Sequence, residues 1–402
     1  MRPLDGIKVL DLSRILAGPL AGQMLGDLGA EVVKIERPGK GDDAREMGPP
    51  FLHEEAGAPT SDAGFFISCN RNKKSLSIDI GKPAGQALIR RLAAEADVLI
   101  ENFKTGTLAK YRLDYSSLSE LNRKLVYCSI TGFGQTGPDA AKPGYDGVFQ
   151  AMGGMMSVSG HPHEPMKVGI SIIDILTSTN AVAAIVSALY HRDARGGEGQ
   201  YIDLSLLDCG VASLSHFAQN YLISGSVPER RGNGGFGGIP SQAFQCSDAM
   251  IFVVVGNNEQ YRRFCEAIER PDLITDPRFS TGPGRIRNRL EILGILEPIF
   301  LTRPAAFWIE GLDAAGVPVA PVNDMHGVFE NPQIISRGMV NEVVHPVAGR
   351  LKLLASPLRF SKTKLEPPTP PPGVGEHSDD VLRGWLRLDD AELAALRGQD
   401  VL

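Results

Sequence analysis

The sequence has few cysteines and no excess of basic residues, and each shortage excludes a class of protein. Its five cysteines are scattered among 402 residues without C-x-x-C spacing. That pattern argues against a disulfide framework and against a structural zinc site. Lys and Arg (41) are outnumbered by Asp and Glu (47), and the net charge is −6. A nucleic acid or an anionic membrane surface is therefore disfavoured as a partner.

Two kinds of segment are also missing. No apolar run approaches the roughly 18 residues that span a membrane. The first predicted strand begins within about six residues of the N-terminus, which leaves no room for a signal peptide. These absences predict a soluble protein of the cytoplasm, with its cysteines reduced.

Strands and helices alternate through the first 200 residues. The β-branched segments Ile7–Ser13 and Glu31–Glu36 flank a small-residue helix predicted at Ala17–Leu28, which makes a βαβ unit. Further strands are predicted at 75–80, 97–103, 125–131 and 199–206, with a helix at 83–96. The repetition predicts an α/β fold with a parallel, Rossmann-like sheet.

The first βα turn does not support the obvious ligand of such a sheet, a dinucleotide. The turn lacks the G-x-G-x-x-G pattern, and Pro19 removes a backbone N–H that a pyrophosphate would need. Glu36 ends the second strand where a ribose-binding acid is expected, but Arg37 follows at once and favours a phosphate. A dinucleotide-dependent dehydrogenase is disfavoured.

Composition divides the chain into four stretches. Residues 1–224 are predicted to form the first part of a large domain, 225–241 a glycine-rich loop, 242–325 a smaller α+β domain, and 326–402 a return that completes the large domain. The loop contains Gly234, Gly235, Gly237 and Gly238. It is either a linker or a mobile lid over a site.

One carboxylate stands out in the long apolar helix predicted from Ile172 onward. Asp174 lies in its first turn, flanked by isoleucines and a leucine. An acidic residue there can simply satisfy free N–H groups at the helix start. Alternatively, Asp174 is a nucleophile in a partly desolvated pocket, and the N-terminal end of the helix keeps it ionised. The residues alone leave both interpretations open.

With these segments in place, the sequence resembles the class III CoA-transferase family of the CaiB/BaiF type. The resemblance covers essentially the whole chain. The matching stretches are PLDGIKVLDLSRILAGP, GAEVVKIERPGKGDDAR, NRNKKSLSIDI, DVLIENF, SITGFGQTGP, KVGISIIDI and RGNGGFGG. Within the family, ERPGKGDDAR, HFAQNYLISG and VVVGNNEQ look most like the succinate–hydroxymethylglutarate CoA-transferase branch.

The resemblance implies transfer of CoA from succinyl-CoA, or a similar acyl-CoA, to a small dicarboxylic acid. Asp174 matches the family's nucleophile and would form a mixed anhydride and then an aspartyl-CoA thioester. A reference pKa near 3.9 would keep it ionised. Coenzyme A enters as a substrate, and no metal or permanently bound cofactor is implied. The resemblance further implies that two chains form an interlocked homodimer.

The resemblance also assigns binding residues by position. The positions matching CoA contacts or falling near the pocket are Leu16, Ala17, Arg37, Ile78, Asn102, Phe103, Lys110, Tyr145 and Asp146. The four glycines of the loop match the family's lid. Lys142 is offset by one residue from the family pattern. For the second carboxylate of the acceptor, we expect a cation from the matching stretches, Arg45 first and Arg71 second.

Two rival functions remain at this point. A 2-methylacyl-CoA racemase shares the fold but needs a histidine–aspartate acid/base pair, and Gly144-Tyr145-Asp146 stands where that histidine is expected. A catalytically silent CoA-binding scaffold would need neither Asp174 nor the glycine loop. The acceptor and donor acids cannot be identified from the sequence.

Overall fold

The computed structural model describes residues 1–235 and 237–402. Its helices are α1 (Ala17–Asp27), α2 (Gly64–Ser68), α3 (Pro83–Glu95), α4 (Tyr115–Leu121), α5 (Asp146–Met152), α6 (Met155–Val158), α7 (Ile172–His191), α8 (Leu206–Ser213), α9 (His216–Ser224), α10 (Asn258–Ala267), α11 (Asp272–Thr275), α12 (Gly282–Arg287), α13 (Arg289–Phe300), α14 (Ala305–Ala314), α15 (Met325–Glu330), α16 (Pro332–Ser336), α17 (Ser378–Leu386) and α18 (Asp390–Gly398).

The strands are short and fall between these helices. They are β1 (Lys8–Asp11), β2 (Glu31–Glu36), β3 (Phe51–His53), β4 (Pro59–Ala63), β5 (Lys73–Ser77), β6 (Val98–Glu101), β7 (Val126–Thr131), β8 (Gly160–His161), β9 (Glu164–Pro165), β10 (Tyr201–Ser205), β11 (Ser241–Gln245), β12 (Met250–Val254), β13 (Val319–Pro321), β14 (Val340–His345) and β15 (Gly349–Leu354). Single 3₁₀ turns lie at Asp43–Glu46 and Leu108–Tyr111, and a π-helical turn follows α7 at Arg192–Gly196.

The chain forms two compact units. The larger contains Met1–Met155, Val168–Ser224 and Ser336–Leu402, and the smaller contains Met156–Lys167 and Gly225–Ile335. The sequence placed residues 156–167 in the large domain and 326–335 in the return segment. The structure groups both with the smaller unit. For residues 156–167 the reason is that the β8–β9 hairpin contacts the glycine-rich stretch, with Gly232 N donating to Gly160 O at 2.9 Å.

The larger unit is built on a six-stranded sheet in the order β10-β7-β6-β1-β2-β5, with every neighbouring pair parallel. This confirms the predicted α/β class. The central strands β6 and β7 are buried at every position, as expected for a parallel sheet covered on both faces. One face packs residues such as Leu99 against α3, and the other packs residues such as Ile100 against α1 and α7.

Helix α7 is the long helix on the second face. By length and composition alone, Ile172–Gly196 would also pass as a membrane span, a test that core helices of soluble proteins pass as well. The sequence shows no uninterrupted apolar run here, because Asp174, Thr177 and Asn180 interrupt the apolar residues of this helix. In the structure α7 packs against α1, α8, β7 and β10.

The C-terminal residues complete the sheet edge at β5. Thr369 N donates to Asn72 Oδ1 at 2.7 Å, and His377 N donates to Ser75 O at 3.0 Å. Helix α17 then packs on β5 and α3, with Leu382 fully buried. The proline-rich stretch before α17 forms no helix or strand, because proline cannot donate a ladder hydrogen bond. The last part of the chain therefore covers an early strand.

The smaller unit has its own antiparallel sheet, in the order β11-β12-β13. Helices α10, α13 and α14 pack on it around aromatic residues, including Phe244, Phe264, Phe300 and Trp308. Trp308 Nε1 donates to Phe300 O at 2.9 Å, which satisfies the buried indole. Strands β11 and β12 pair as an antiparallel hairpin.

Candidate active site

The start of α7 is capped by a residue from another helix. Ser171 precedes the helix but makes no side-chain cap. Instead, Asp146, the first residue of α5, accepts hydrogen bonds at Oδ1 from Ile173 N (2.7 Å) and Asp174 N (3.3 Å). Among the described residues, none donates a hydrogen bond to the Asp174 carboxylate. The capping interpretation of Asp174 is therefore wrong, since Asp146 does that work.

Burial makes the Asp174 carboxyl a much weaker acid than a free aspartate. Loss of solvent is the larger cause and the neighbouring Asp146 carboxylate the second, and together they raise the pKa of Asp174 to about 7. The sequence expectation of an ordinary, fully ionised aspartate was wrong on this point. A carboxylate poised near neutrality and poor in hydrogen bonds is a reactive one.

Asp174 lies on the wall of a cleft of about 260 Å³ in the larger unit. Eight of the residues singled out from the sequence line it together: Leu16, Ala17, Asn102, Phe103, Lys142, Tyr145, Asp146 and Asp174. Three cations share the wall, Arg14, Lys104 and Lys142. No histidine is among the described lining residues, so a racemase's histidine base has no counterpart on this wall. A carboxylate and three cations suit anionic substrates.

The β1–α1 turn forms the side of the cleft that faces α7. Asn102 fixes it by accepting from Arg14 N (2.9 Å) and donating to Arg14 O (2.7 Å). Ile15 adopts φ 73°, an uncommon conformation for a β-branched residue, and its N–H donates to Asp42 Oδ1 at 3.1 Å. Ser178 Oγ on α7 lies 2.7 Å from Ala17 O. The turn is thus held from three directions.

Sequence reasoning missed Arg14, Lys104 and Ser178. Arg14 lies inside a quoted motif, where its charge between two aliphatic stretches was an available signal. Its guanidinium pairs with Asp43 at 2.9 Å and lies over the Phe103 ring at 5.3 Å. Lys104 directly follows two predicted contact residues. Ser178 gave no signal, because its partner Ala17, at the start of α1, is 161 residues away.

Three predicted CoA contacts do not line this cleft. Ile78 is 1% exposed and packs in the hydrophobic core. Arg37 is exposed and pairs with Asp43. Lys110 is exposed on the 3₁₀ turn after β6. The side chain of Ile78 is buried in that core, and a contact of this residue with CoA stays a prediction. The roles of Arg37 and Lys110 stay predictions.

The structure corrects the expectation that Arg45, the first candidate cation, binds the second carboxylate of the acceptor. Its guanidinium is 1% exposed and pairs with Glu36 Oε2 at 2.8 Å and Asp62 Oδ1 at 2.6 Å. It also donates to Pro372 O at 2.9 Å and lies 3.6 Å from the Phe66 ring centroid. These partners leave no face for a substrate carboxylate. They also occupy Glu36, so the acid at the end of β2 is no ribose ligand.

Arg71, the second candidate, is also engaged. Its Nε and Nη2 donate to the two oxygens of Asp27, at 2.9 and 2.5 Å, which is a bidentate ion pair. Arg71 does not line the cleft at Asp174. The cations that do line it are Arg14, Lys104 and Lys142, and the sequence hypothesis for the acceptor's second carboxylate is revised to them.

The glycine loop belongs to the smaller unit and is fastened to the sheet there. Gly235 N donates to Ser241 O at 2.6 Å, and Arg289 Nη1 donates to Gly235 O at 3.1 Å. A Cβ at Gly238 would lie 2.0 Å from Val255 O, so only glycine fits. Gly234 and Gly237 complete the predicted lid, and Phe236 lies outside the described residues. The lid role of the loop stays a prediction.

The fold and the cleft define an α/β enzyme that places a weakly acidic carboxylate among cations. Residues 4–378 match the family model described as CoA-transferase family III. The chain belongs to CoA-transferase family III, the CaiB/BaiF family, and the resemblance found in the sequence is confirmed.

Individual relatives are similar over nearly the whole chain. A succinyl-CoA:glutarate CoA-transferase of Homo sapiens is 40% identical, over 100% of this chain and 90% of its own length. A succinate–glutarate CoA-transferase of Agrobacterium fabrum is 42% identical, over 94% of this chain and 95% of its own length. The crystal structure of a CAIB/BAIF family protein from Brucella suis superposes with a TM-score of 0.86 at 42% identity, covering 96% of this chain and 99% of that one.

Proposed function

We propose that this protein transfers CoA from succinyl-CoA to a small dicarboxylic acid, with glutarate the first acceptor to test. The observation that carries the proposal is Asp174, a carboxylate on the cleft wall whose neighbouring N–H groups are already taken by Asp146. The substrate class is supported by the two relatives at 40% and 42% identity, whose names specify succinyl-CoA or succinate together with glutarate.

The transfer proceeds by four acyl exchanges that need no metal and no resident cofactor. Asp174 attacks the succinyl thioester, releasing CoA thiolate and forming an aspartyl–succinyl anhydride. The thiolate attacks the aspartyl carbonyl, succinate leaves, and the enzyme carries CoA as a thioester. Glutarate attacks this thioester and releases the thiolate, which then attacks the glutaryl carbonyl and restores the Asp174 carboxylate. Protons balance throughout, since each nucleophile and each leaving group is an anion.

The cations Arg14, Lys104 and Lys142 supply charge for the anionic parts of both substrates. The side chain of Lys142 is 62% exposed and pairs with Asp139 at 2.6 Å, whereas Arg14 is fixed at its backbone by Asn102. We assign Leu16, Ala17, Asn102, Phe103 and Tyr145 to the CoA-binding wall. This assignment is supported by their common position on the cleft.

The test is an exchange assay with succinyl-CoA and glutarate, malate, oxalate and acetate offered separately. New acyl-CoA is read by mass, and Asp174→Ala serves as the blank. Glutaryl-CoA formed by the wild type alone would support the proposal. Exchange into acetate alone would reject the dicarboxylate class, and no exchange with bound CoA would favour the silent scaffold.

The transfer rate is expected to rise with pH through a midpoint of about 7. Asp174 reacts as a carboxylate, and its pKa of about 7 means that activity is lost as the pH falls below that value. The measurement is kcat/KM for succinyl-CoA between pH 5.5 and 8.5, values chosen to be about 1.5 units either side of the midpoint. Asp146→Asn keeps the capping oxygen but removes the charge, so its acidic limb should move to lower pH. An unmoved limb would contradict the electrostatic explanation.

We also propose that the enzyme is an interlocked homodimer. Helix α9 buries none of its residues, and Leu222 and Ile223 are 73% and 76% exposed. Such a cluster in a chain of this size marks an interaction surface. Light scattering should give twice the chain mass of 43.2 kDa. The double substitution Leu222→Glu with Ile223→Glu should yield monomer, with Leu121→Glu as an exposed-leucine control. A wild-type monomer would refute the proposal.

A cytoplasmic location is likewise proposed. All five cysteines are buried and unpaired, which suits a reducing compartment.

A further inference from the structure

Gln150 is a fully buried amide that does not touch the cleft. It lies one turn beyond Asp146 on α5, and its exposure is 0%. Its Nε2 lies 2.5 Å from Asp146 Oδ2 and 3.4 Å from the carbonyl oxygens of Val168 and Ile170. Its Oε1 accepts from Val168 N at 2.7 Å. One amide therefore connects Asp146 to the segment that leads into α7.

These contacts fix both sides of the nucleophile's helix start. Asp146 Oδ2 is held by Gln150, which leaves Oδ1 directed at the N–H groups of Ile173 and Asp174. The incoming segment is held at Val168, and Ile172 N then donates to Ile170 O at 2.8 Å as the helix begins. Without the amide, neither the capping carboxylate nor the backbone before α7 keeps its partner.

We propose that Gln150 is a positioning residue for Asp174: it holds the Asp146 carboxylate on the first N–H groups of α7 and fixes the backbone that enters the helix. The proposal rests on Asp174 being the nucleophile, as proposed above. Gln150 contacts no substrate, so its effect passes through Asp146. Burying an amide this completely is costly unless its hydrogen bonds are made, and here they all converge on one helix start.

The charged groups around Asp174 determine whether a substitution at Gln150 favours or opposes its ionisation. On α5 the neighbour is Asp146, which opposes the Asp174 charge. The elements packed against α7 also carry Asp203 on β10, Asp208 on α8 and Asp27 on α1, and Asp27 is neutralised by Arg71. The cleft adds Arg14, Lys104 and Lys142. Asp146 is the charged group that Gln150 touches, so changes at Gln150 act through it.

Two substitutions should move the acidic limb of the pH profile in opposite directions. Gln150→Met keeps the volume but releases Asp146, freeing N–H groups that then favour the Asp174 carboxylate, so the limb moves down by about one pH unit. Gln150→Glu adds a carboxylate beside Asp146, so the limb moves up by about one unit. In both, kcat at the plateau should fall about tenfold or more, with the KM for succinyl-CoA changed by less than about twofold.

Gln23→Met is the matched control. Gln23 is almost as buried, donates to Ser68 O at 3.2 Å and accepts from Arg71 N at 3.0 Å, and neither hydrogen bond goes to α7 or to the segment before it. Its loss should lower stability without moving the limb. In an Asp146→Ala background, which has no capping oxygen left to release, Gln150→Met should shift the limb no further.

The outcomes separate the two proposals. Opposite shifts for Met and Glu, with the Met shift abolished in the Asp146→Ala background, support the positioning role. A limb that stays in place while thermal stability falls, as in Gln23→Met, overturns it and leaves Gln150 a structural residue. If Asp174→Ala keeps full activity, the nucleophile assignment itself fails, whatever Gln150 does. Should Gln150→Met not fold, Gln150→Glu and Asp146→Asn still decide the direction of the shift.

Discussion

Asp174→Asn is expected to lower kcat for CoA transfer by at least about 10³-fold, because the amide cannot form the anhydride that starts the exchange. The change is nearly isosteric, and the start of α7 keeps its cap, since Asp146 and not Asp174 accepts the helix N–H bonds. The fold and CoA binding should therefore survive. The measurement is steady-state exchange from succinyl-CoA to glutarate, with the intact-protein mass recorded after incubation with succinyl-CoA.

The wild type should gain the mass of a covalently attached CoA, and the variant should not. Asp208→Asn is the matched control, because Asp208 also lies in the first turn of a helix, α8, but is exposed and does not line the cleft. It should keep kcat within about twofold. Transfer at wild-type rate by Asp174→Asn would show that another group carries the acyl chain.

Arg45→Met is expected to lower the free energy of unfolding by about 3–5 kcal/mol, the range for removing one partner of a buried ion pair. Arg45 bridges Glu36 and Asp62 and also binds Pro372 O. The guanidinium holds the pKa of Glu36 below its usual range although burial alone would raise it, and removing the cation leaves a buried, unpaired carboxylate. Urea unfolding of the whole chain measures this loss of unfolding free energy.

The comparison is with Arg37→Met, whose exposed pair with Asp43 should contribute less than about 1 kcal/mol. The acceptor KM should be unchanged in any folded Arg45 variant. A stable Arg45→Met protein with a raised KM for glutarate would instead restore the hypothesis that Arg45 binds the second carboxylate of the acceptor.

The sheet was predictable because its strands are local apolar runs. Glu31–Glu36 was assigned as β2 with both ends correct, and the run at 125–131 differs from β7 by one residue. Because strands of a parallel sheet are buried on both faces, they consist of consecutive β-branched and aliphatic residues. For these elements, little information beyond the neighbouring residues was needed.

The site was less predictable because its contacts are between distant residues. Asp174 itself was found through the resemblance, but its weak acidity comes from burial and from Asp146, 28 positions earlier. Arg45 and Arg71 were chosen because they lie in matching stretches, and nothing in the linear order shows that Glu36, Asp62 and Asp27 neutralise them. A sequence shows which charges exist, whereas their pairing is decided by packing.

The order in which the chain is made has a consequence for β5. Its edge is closed by residues 369–377 and by α17, and Arg45 is completed by the carbonyl of Pro372, 327 positions later. The edge strand β5 therefore stays uncovered until nearly the entire chain has been synthesised. During synthesis the growing chain carries an open strand edge, which is the kind of surface that chaperones cover and that aggregation exploits. A premature stop codon before residue 369 would remove both the covering segment and α17, and it would leave that edge open permanently.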